Sequence, residues 1–225
     1  MPYEAVLFDN DGVLVEPVGH SVLRRATWEA FDALGVPDPD DDDVARLSIG
    51  VTPDRLSSVC ARYGLDPSRL WRARDHYSSH AQRVELRAGR ATLYDDFDVV
   101  HDIDTPRGIV SSNQQATLKF MHDFFETADL FDPVYGRSPT IQSLTRKKPA
   151  PYYLRRALSD IGVDAADTLF IGDSESDVLA AQNAGADAAF IRRPHREGYD
   201  LSVAPTFELD GLADLLALDG VPTRT

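Results

Sequence analysis

At 225 residues, the chain is long enough for one large α/β domain, or for a core domain carrying a smaller insertion, and either can bury a sizeable core. Its 37 acidic and 23 basic residues give a formal net charge of −14, which argues against nonspecific attraction to nucleic acid or to an anionic membrane. No apolar run approaches the roughly 20 residues needed to span a bilayer. The single cysteine, Cys60, excludes an internal disulfide, and the first residues lack the charged-then-apolar profile of a signal peptide, so a cytoplasmic location is expected.

In chain order, "YEAVLFD" (residues 3–9) is a short continuous apolar run suited to a strand buried on both faces. It ends in Asp9-Asn10-Asp11. From about Glu16 to Gly89 the pattern predicts helices only: "SVLRRATWEAFDALG", "TPDRLSSVCARYG" and "PSRLWRARDHYSSHAQRV", separated by Pro, Gly and Asp. This reads as a helical module (16–89) inserted into a core made of residues 1–15 and 90–225. Within it, the acidic cluster "DPDDDD" (38–43) takes a loop or helix-start position. Two readings of that cluster stay open: a solvated face, or, since arginine supplies 20 of the 23 basic residues, adaptation to a salt-rich cytoplasm.

Beyond Arg90 the alternation of strand and helix resumes. "RGIVSSN", "DTLFIGD" and "DAAFIRR" repeat the buried-strand form, while "QATLKFMHDFFETADLF", "PYYLRRALSDIG" and "ESDVLAAQNAG" have helical spacing, the last two closing on glycines placed as C-caps. A final strand and helix are expected after residue 193. Such alternation predicts an α/β fold with a mostly parallel, doubly wound sheet of Rossmann-like type.

In open parallel sheets, ligands bind beyond the carboxyl ends of the strands. The residues that terminate the apolar runs form a coherent set there: Asp9-Asn10-Asp11, Ser111-Ser112-Asn113, and Gly172-Asp173-Ser174 followed by Asp177, with Lys148 preceding the "PAPYYLRRAL" helix. The carboxylates are expected to face one crevice.

"DNDGVLV", "IVSSN", "KKPAP" and "IGDSESD", in this order and spacing and with a helical insertion after the first, resemble the four motifs of the haloacid dehalogenase superfamily. The resemblance spans residues 3 to about 193. It implies a Rossmann-like core, a helical cap, and Mg²⁺-dependent phosphoryl transfer through an aspartyl phosphate. By the same resemblance Asp9 is the nucleophile, the Asp11 backbone carbonyl completes the metal ligands, and Asp177 orients the metal shell.

The residue chemistry points the same way. A carboxylate attacks phosphorus only if the negative charge of the substrate is neutralised and the attacking and leaving oxygens lie in line. Mg²⁺ takes hard oxygen ligands and suits a site of one or two carboxylates plus phosphate, which makes Asp9 and Asp173 the expected carboxylate ligands. Asp11, two residues after Asp9 and just before the turn at Gly12, can approach the leaving group and serve as general acid, then base. Carbon–halogen cleavage needs no such donor, so Asp11 argues against dehalogenation. Ser111, assisted by Ser112 and Asn113, is placed to hold a phosphoryl oxygen. Lys148 offsets Asp9, Asp173 and the incoming phosphate, while the adjacent Lys147 is expected to face solvent.

The helical insertion is expected to be a lid that excludes water and selects the leaving group. Within it His20, Arg24, Arg46 and Arg55 could contact substrate, although helix-surface roles are the simpler reading. His76 and His80, four apart on a helix, have the spacing of a metal pair but no nearby third ligand, so they read as an exposed face. The expected partner is a small-molecule phosphate monoester of phosphoglycolate or sugar-phosphate type, bound by a monomer or homodimer, with no nucleic acid and no membrane. A sugar-phosphate mutase would use the same four motifs. A non-enzymatic phospho-receiver switch would also combine acidic residues, Ser and Lys on a parallel sheet, but needs no large cap.

Overall fold

Residues 2–224 are described in a computed structural model. Strand β1 (Ala5–Phe8) has all four residues without solvent exposure, the consequence of an unbroken apolar run. It lies inside a six-stranded sheet with β2 (Arg107–Gln114), β3 (Val134–Arg137), β4 (Thr168–Gly172), β5 (Asp187–Ile191) and β6 (Phe207–Leu209). The order is β3-β2-β1-β4-β5-β6 and every neighbouring pair is parallel, so the expected doubly wound sheet is present. The chain adds β2 and β3 on one side of β1 and β4 to β6 on the other, so the order of winding reverses between β1 and β4, and in such sheets the ligand crevice opens at that switch point.

Alternation along each strand divides the core into two layers. Val6 and Phe8 join Ile109, Leu169 and Ile171 against Leu118 and Met121 of α5 (Gln115–Phe124). Leu7 joins Val110 and Phe170 on the opposite face, covered by α7 (Tyr152–Ile161) and α8 (Glu175–Ala184). Gly162 and Gly185 close α7 and α8 in the left-handed conformation, as the sequence predicts. The final strand exists as β6, but a short 3-10 turn, Leu212–Ala217, stands where a helix is expected.

Residues 20–87 form four helices: α1 (His20–Asp32), α2 (Asp41–Ser48), α3 (Pro53–Tyr63) and α4 (Pro67–Arg87). The acidic cluster is the start of α2, where Asp40 caps the helix by accepting from the Asp42 and Asp43 N–H groups at 3.0 and 3.3 Å. Thr52 and Asp66 cap α3 and α4, each followed by proline at the first helical position. The four helices share an apolar cluster of Phe31, Leu47, Leu56, Leu70 and Trp71, joined by Leu144 of α6 (Ile141–Arg146). No helix among the described residues is long and apolar enough to cross a membrane.

A buried ion pair ties α4 to the sheet. Asp75 accepts from both terminal nitrogens of Arg137, at the end of β3, at 2.5 and 2.6 Å, and both side chains are only 4% exposed. Removing one partner of a buried pair strands the other charge, at a typical cost of 3–5 kcal/mol. Arg74 lies 3.3 Å from the same carboxylate and softens that loss. Arg137→Met is therefore expected to cost about 3 kcal/mol, or roughly 6–12 °C in Tm. Thermal and urea melts check this, and a change below about 0.5 kcal/mol would mean that the pair contributes no net stability.

Candidate active site

Strand register brings the polar termini together. Phe8 of β1 is level with Ile109 of β2 and with Ile171 of β4, so Asp9, Ser111 and Asp173 emerge side by side at one edge of the sheet. Strand β2 does not end at Ser111 as expected. It runs on to Gln114, and its register with β3 becomes irregular between Val110 and Gln114, a distortion of the kind that re-aims side chains.

Asp9, Asp173 and Asp177 are buried and each offers a carboxylate oxygen within 4.8 Å of the others. Lys148 Nζ reaches Asp9 at 2.8 Å and Asp177 at 2.5 Å. Burial pushes the Asp9 carboxyl up to about 7; Asp177, Asp173 and Asp11 add to that, and Lys148 opposes it. Burial also works against the Lys148 ammonium, but Asp177 and Asp9 outweigh it and hold the lysine above its ordinary range. Asp177 is fixed by its place in the first turn of α8, where its carboxylate accepts from the Ser174 N–H at 3.0 Å and hydroxyl at 2.6 Å.

Asp11 is half-buried and accepts from Asn113 Nδ2 at 3.0 Å. Burial raises its carboxyl above the usual carboxylate range, although the Asn113 and Asn10 hydrogen bonds favour the charged form. The turn after it requires glycine twice over: Gly12 has φ +83°, and a Cβ there would lie 2.3 Å from Asp173 Oδ2. Gly172 is constrained in the same way, since a Cβ would lie 2.1 Å from that of Asp177. Ser111 is buried, and its Oγ accepts from the Asn113 N–H at 3.2 Å.

Several residues at the site carry no signal in the sequence. His195 Nε2 and Arg196 Nε lie 2.7 and 2.9 Å from Asp173 Oδ2; although burial opposes the charged form, these two groups hold Asp173 below the ordinary carboxylate range. Arg193 donates to Asp96 at 2.8 and 2.9 Å and to the Val13 carbonyl at 2.7 Å, which anchors the loop after β1. Gln82 of α4 accepts from Asn113 at 2.7 Å and so links the helices to the Asp11 environment. Lys147 is a correction: it is half-buried and lines the cavity beside Asp11, because the loop turns both lysines inward.

Of the helical candidates, His20 lines that cavity, whereas Arg24 sits in a surface ion pair with Asp41, Arg46 pairs with the buried Asp43, and the exposed Arg55 bonds the Gly50 carbonyl. His76 and His80 line a separate, open groove between α4 and α5.

A haloacid dehalogenase-like hydrolase family model matches residues 3–185, most of the chain. The protein belongs to the haloacid dehalogenase-like hydrolase family. Among its relatives, the pyrophosphatase PpaX of Bacillus velezensis is 25% identical over 218 residues, covering 96% of each chain. The phosphoglycolate phosphatase of Neisseria gonorrhoeae is 29% identical over 199 residues, covering 81% of this chain and 77% of the relative. Among solved structures, CbbY from Rhodobacter sphaeroides in complex with phosphate aligns with a TM-score of 0.73 at 22% identity, over 97% of this chain and 99% of that one, and shares the fold. The chain is thus a hydrolase of this family rather than a non-catalytic phosphorylation switch, and its named relatives are phosphatases.

Proposed function

We propose that the protein is a Mg²⁺-dependent phosphatase that hydrolyses a small-molecule phosphate monoester, of phosphoglycolate or sugar-phosphate type, through an aspartyl phosphate. The observation that carries this reading is the convergence of Asp9, Asp11, Ser111, Lys148, Asp173 and Asp177 at the switch point of the sheet. The metal fits the site. Three buried carboxylates face one another with a single lysine between two of them, and hard oxygen donors are what Mg²⁺ prefers. Asp9, Asp173 and the Asp11 carbonyl would hold the ion, with Asp177 supporting them; when bound it would neutralise phosphate charge.

The protein's own groups perform the rest. An Asp9 oxygen attacks phosphorus, Lys148 opposes protonation of that carboxylate and offsets phosphate charge, and the Ser111 hydroxyl with the Ser112 and Asn113 groups holds the non-bridging oxygens. As the ester bond breaks, Asp11 gives its proton to the leaving oxygen. The resulting carboxylate then takes a proton from the water that attacks phosphorus and frees Asp9. Helices α1–α4, with flanks reaching residues 16–89, act as the lid over this chemistry.

A screen of phosphate release across metabolite monoesters with Mg²⁺ tests the reading. Release from at least one class, abolished by EDTA, is expected; an intact fold with no release from any monoester would overturn it. Conversion of a hexose 1-phosphate to its isomer without free phosphate would make the enzyme a mutase instead.

Metal binding should also depend on pH with a definite sign. In the metal-free protein Asp9 releases its proton near pH 7, and the ion competes with that proton. Affinity for Mg²⁺ is expected to be flat above about pH 7.5 and to weaken about tenfold per pH unit below 7, the slope of one displaced proton. Calorimetric titration from pH 5.5 to 8 reads this directly, and a pH-independent affinity would remove Asp9 from the ligand set.

A further inference from the structure

Beyond Asp11 the crevice continues as a cavity of about 260 Å³, walled by the helices on one side and by core loops on the other. Its lining includes three cationic residues, Arg74, Arg137 and Lys147, and one carboxylate, Asp11, which Asn113 already bonds. In a chain with net charge −14 this is a local reversal of sign. Two of the cations have structural employment. Arg137 is paired with Asp75, and Arg74 donates to the Leu47 carbonyl at 3.0 Å and to the Ser48 carbonyl.

Lys147 has none. It is half-buried, and among the described residues no carboxylate lies within ion-pair distance of it; the charges that act on it are Arg137, Arg74 and Arg55. Burial and those three cations push its ammonium down to about 8. A second donor in the same wall is unclaimed. Trp71 is 2% exposed, its ring packs against both guanidinium groups, and its buried indole N–H has no hydrogen-bond partner. A buried charge without a partner costs free energy, and a ligand anion beside Lys147 would satisfy it.

We propose that Lys147, backed by Arg74 and Arg137, forms a subsite for a second anionic group of the substrate, a carboxylate or a further phosphate. This inference rests on the phosphatase reading of the site. The reacting phosphoryl group occupies the Asp9 and Lys148 end of the crevice, and Lys147, the neighbour of Lys148 in the chain, lines the cavity that begins at Asp11, so a short linker would join the two anionic groups. The enzyme is therefore selective for short acid-bearing phosphate monoesters over neutral ones.

Matched pairs test this: phosphoglycolate against ethyl phosphate, and 3-phosphonooxypropanoate against propyl phosphate. At least one acidic member is expected to exceed its neutral partner about tenfold or more in kcat/KM, mainly through KM, since a site built for a charged group rejects the analogue lacking it. Lys147→Met should bring that ratio within about threefold of unity, and Lys147→Arg should restore part of it. A ratio near one in the parent, or an undiminished ratio in Lys147→Met, overturns the subsite while hydrolysis itself sustains the phosphatase reading. If no monoester, including nitrophenyl phosphate, is hydrolysed, the phosphatase reading fails, and binding decides the subsite separately. The chain has three lysines, so ¹³Cε-labelled lysine spectra isolate Lys147 once Lys147→Met assigns it. Phosphonoacetate should shift that resonance and methylphosphonate should not; equal or absent shifts overturn the subsite whatever the turnover.

Discussion

Asp9→Asn is expected to reduce turnover to background, a loss of at least about 10⁴-fold, because the amide supplies no nucleophile and a poorer metal ligand. The fold should be untouched, and the stability effect has a predictable sign. The Asp9 carboxyl is raised from an ordinary 3.8 to about 7 in the metal-free protein, so its protonated form suits the folded state. That contribution is fully present below the unfolded value and is lost as pH rises through about 7. At pH 8 the parent must hold an ionised, buried carboxylate, while asparagine is neutral at every pH. Metal-free Asp9→Asn should therefore melt no lower than the parent at pH 8, and its advantage should shrink towards pH 5. Such behaviour is common at functional sites, where groups needed for activity are kept at a cost in stability. Phosphate release above a few per cent of the parent's rate would exclude Asp9 as nucleophile. A large drop in Tm at pH 8 would instead mean that Asp9 is chiefly the partner that stabilises Lys148.

What could be read in advance follows from how local each signal is. The run around β1 is legible because a strand buried on both faces must be apolar at every position, and Ala5–Phe8 is. The glycines after α7 and α8 are legible because a left-handed cap excludes most side chains. Strand β3 is not: Val134–Arg137 is four residues long, its first two are only half-buried, and "VYGR" has no pattern of its own. Helix α2 hides for a different reason. Its first turn is the acidic cluster, whose charges read as solvent-facing, although Asp43 is 1% exposed and paired with Arg62 at 2.7 Å.

The candidate site residues Asp9 and Asp173 are legible because each directly follows an apolar run, and the parallel register brings them together. Their supporting contacts depend on tertiary approach instead. His195 and Arg196 reach Asp173 across 22 and 23 residues, and Arg137 reaches Asp75 across 62, with no periodicity to announce either. Lys147 illustrates the limit most clearly, since two adjacent lysines in a loop carry no alternation rule that would turn the first outward. Its inward placement follows from how the loop packs in three dimensions, beside Arg74 and Arg137.

Asp11→Asn is expected to cost roughly 10²–10⁴ in steady-state rate, the range for loss of a general acid or base. The loss should depend on the leaving group. An alkyl phosphate expels a strongly basic oxygen that needs the Asp11 proton, whereas nitrophenolate departs without one. With nitrophenyl phosphate the first step should recover in part while attack by water still lacks its base. Phosphoenzyme should then accumulate, and rapid mixing should show a burst of nitrophenol close to one equivalent of enzyme, followed by slow turnover. Mg²⁺ affinity should change little, because the backbone carbonyl of residue 11 is the group proposed to face the ion. Asn113 tests the same assignment from the other side. It donates to the Asp11 carboxylate at 3.0 Å and favours the charged form, so Asn113→Ala should raise the Asp11 pKa and, with alkyl phosphates whose first step limits the rate, shift the alkaline limb of the rate profile to higher pH. Equal losses for Asp11→Asn on alkyl and nitrophenyl phosphates, with no burst on the latter, would refute the proton-donor role and leave Asp11 as a ligand of the site alone.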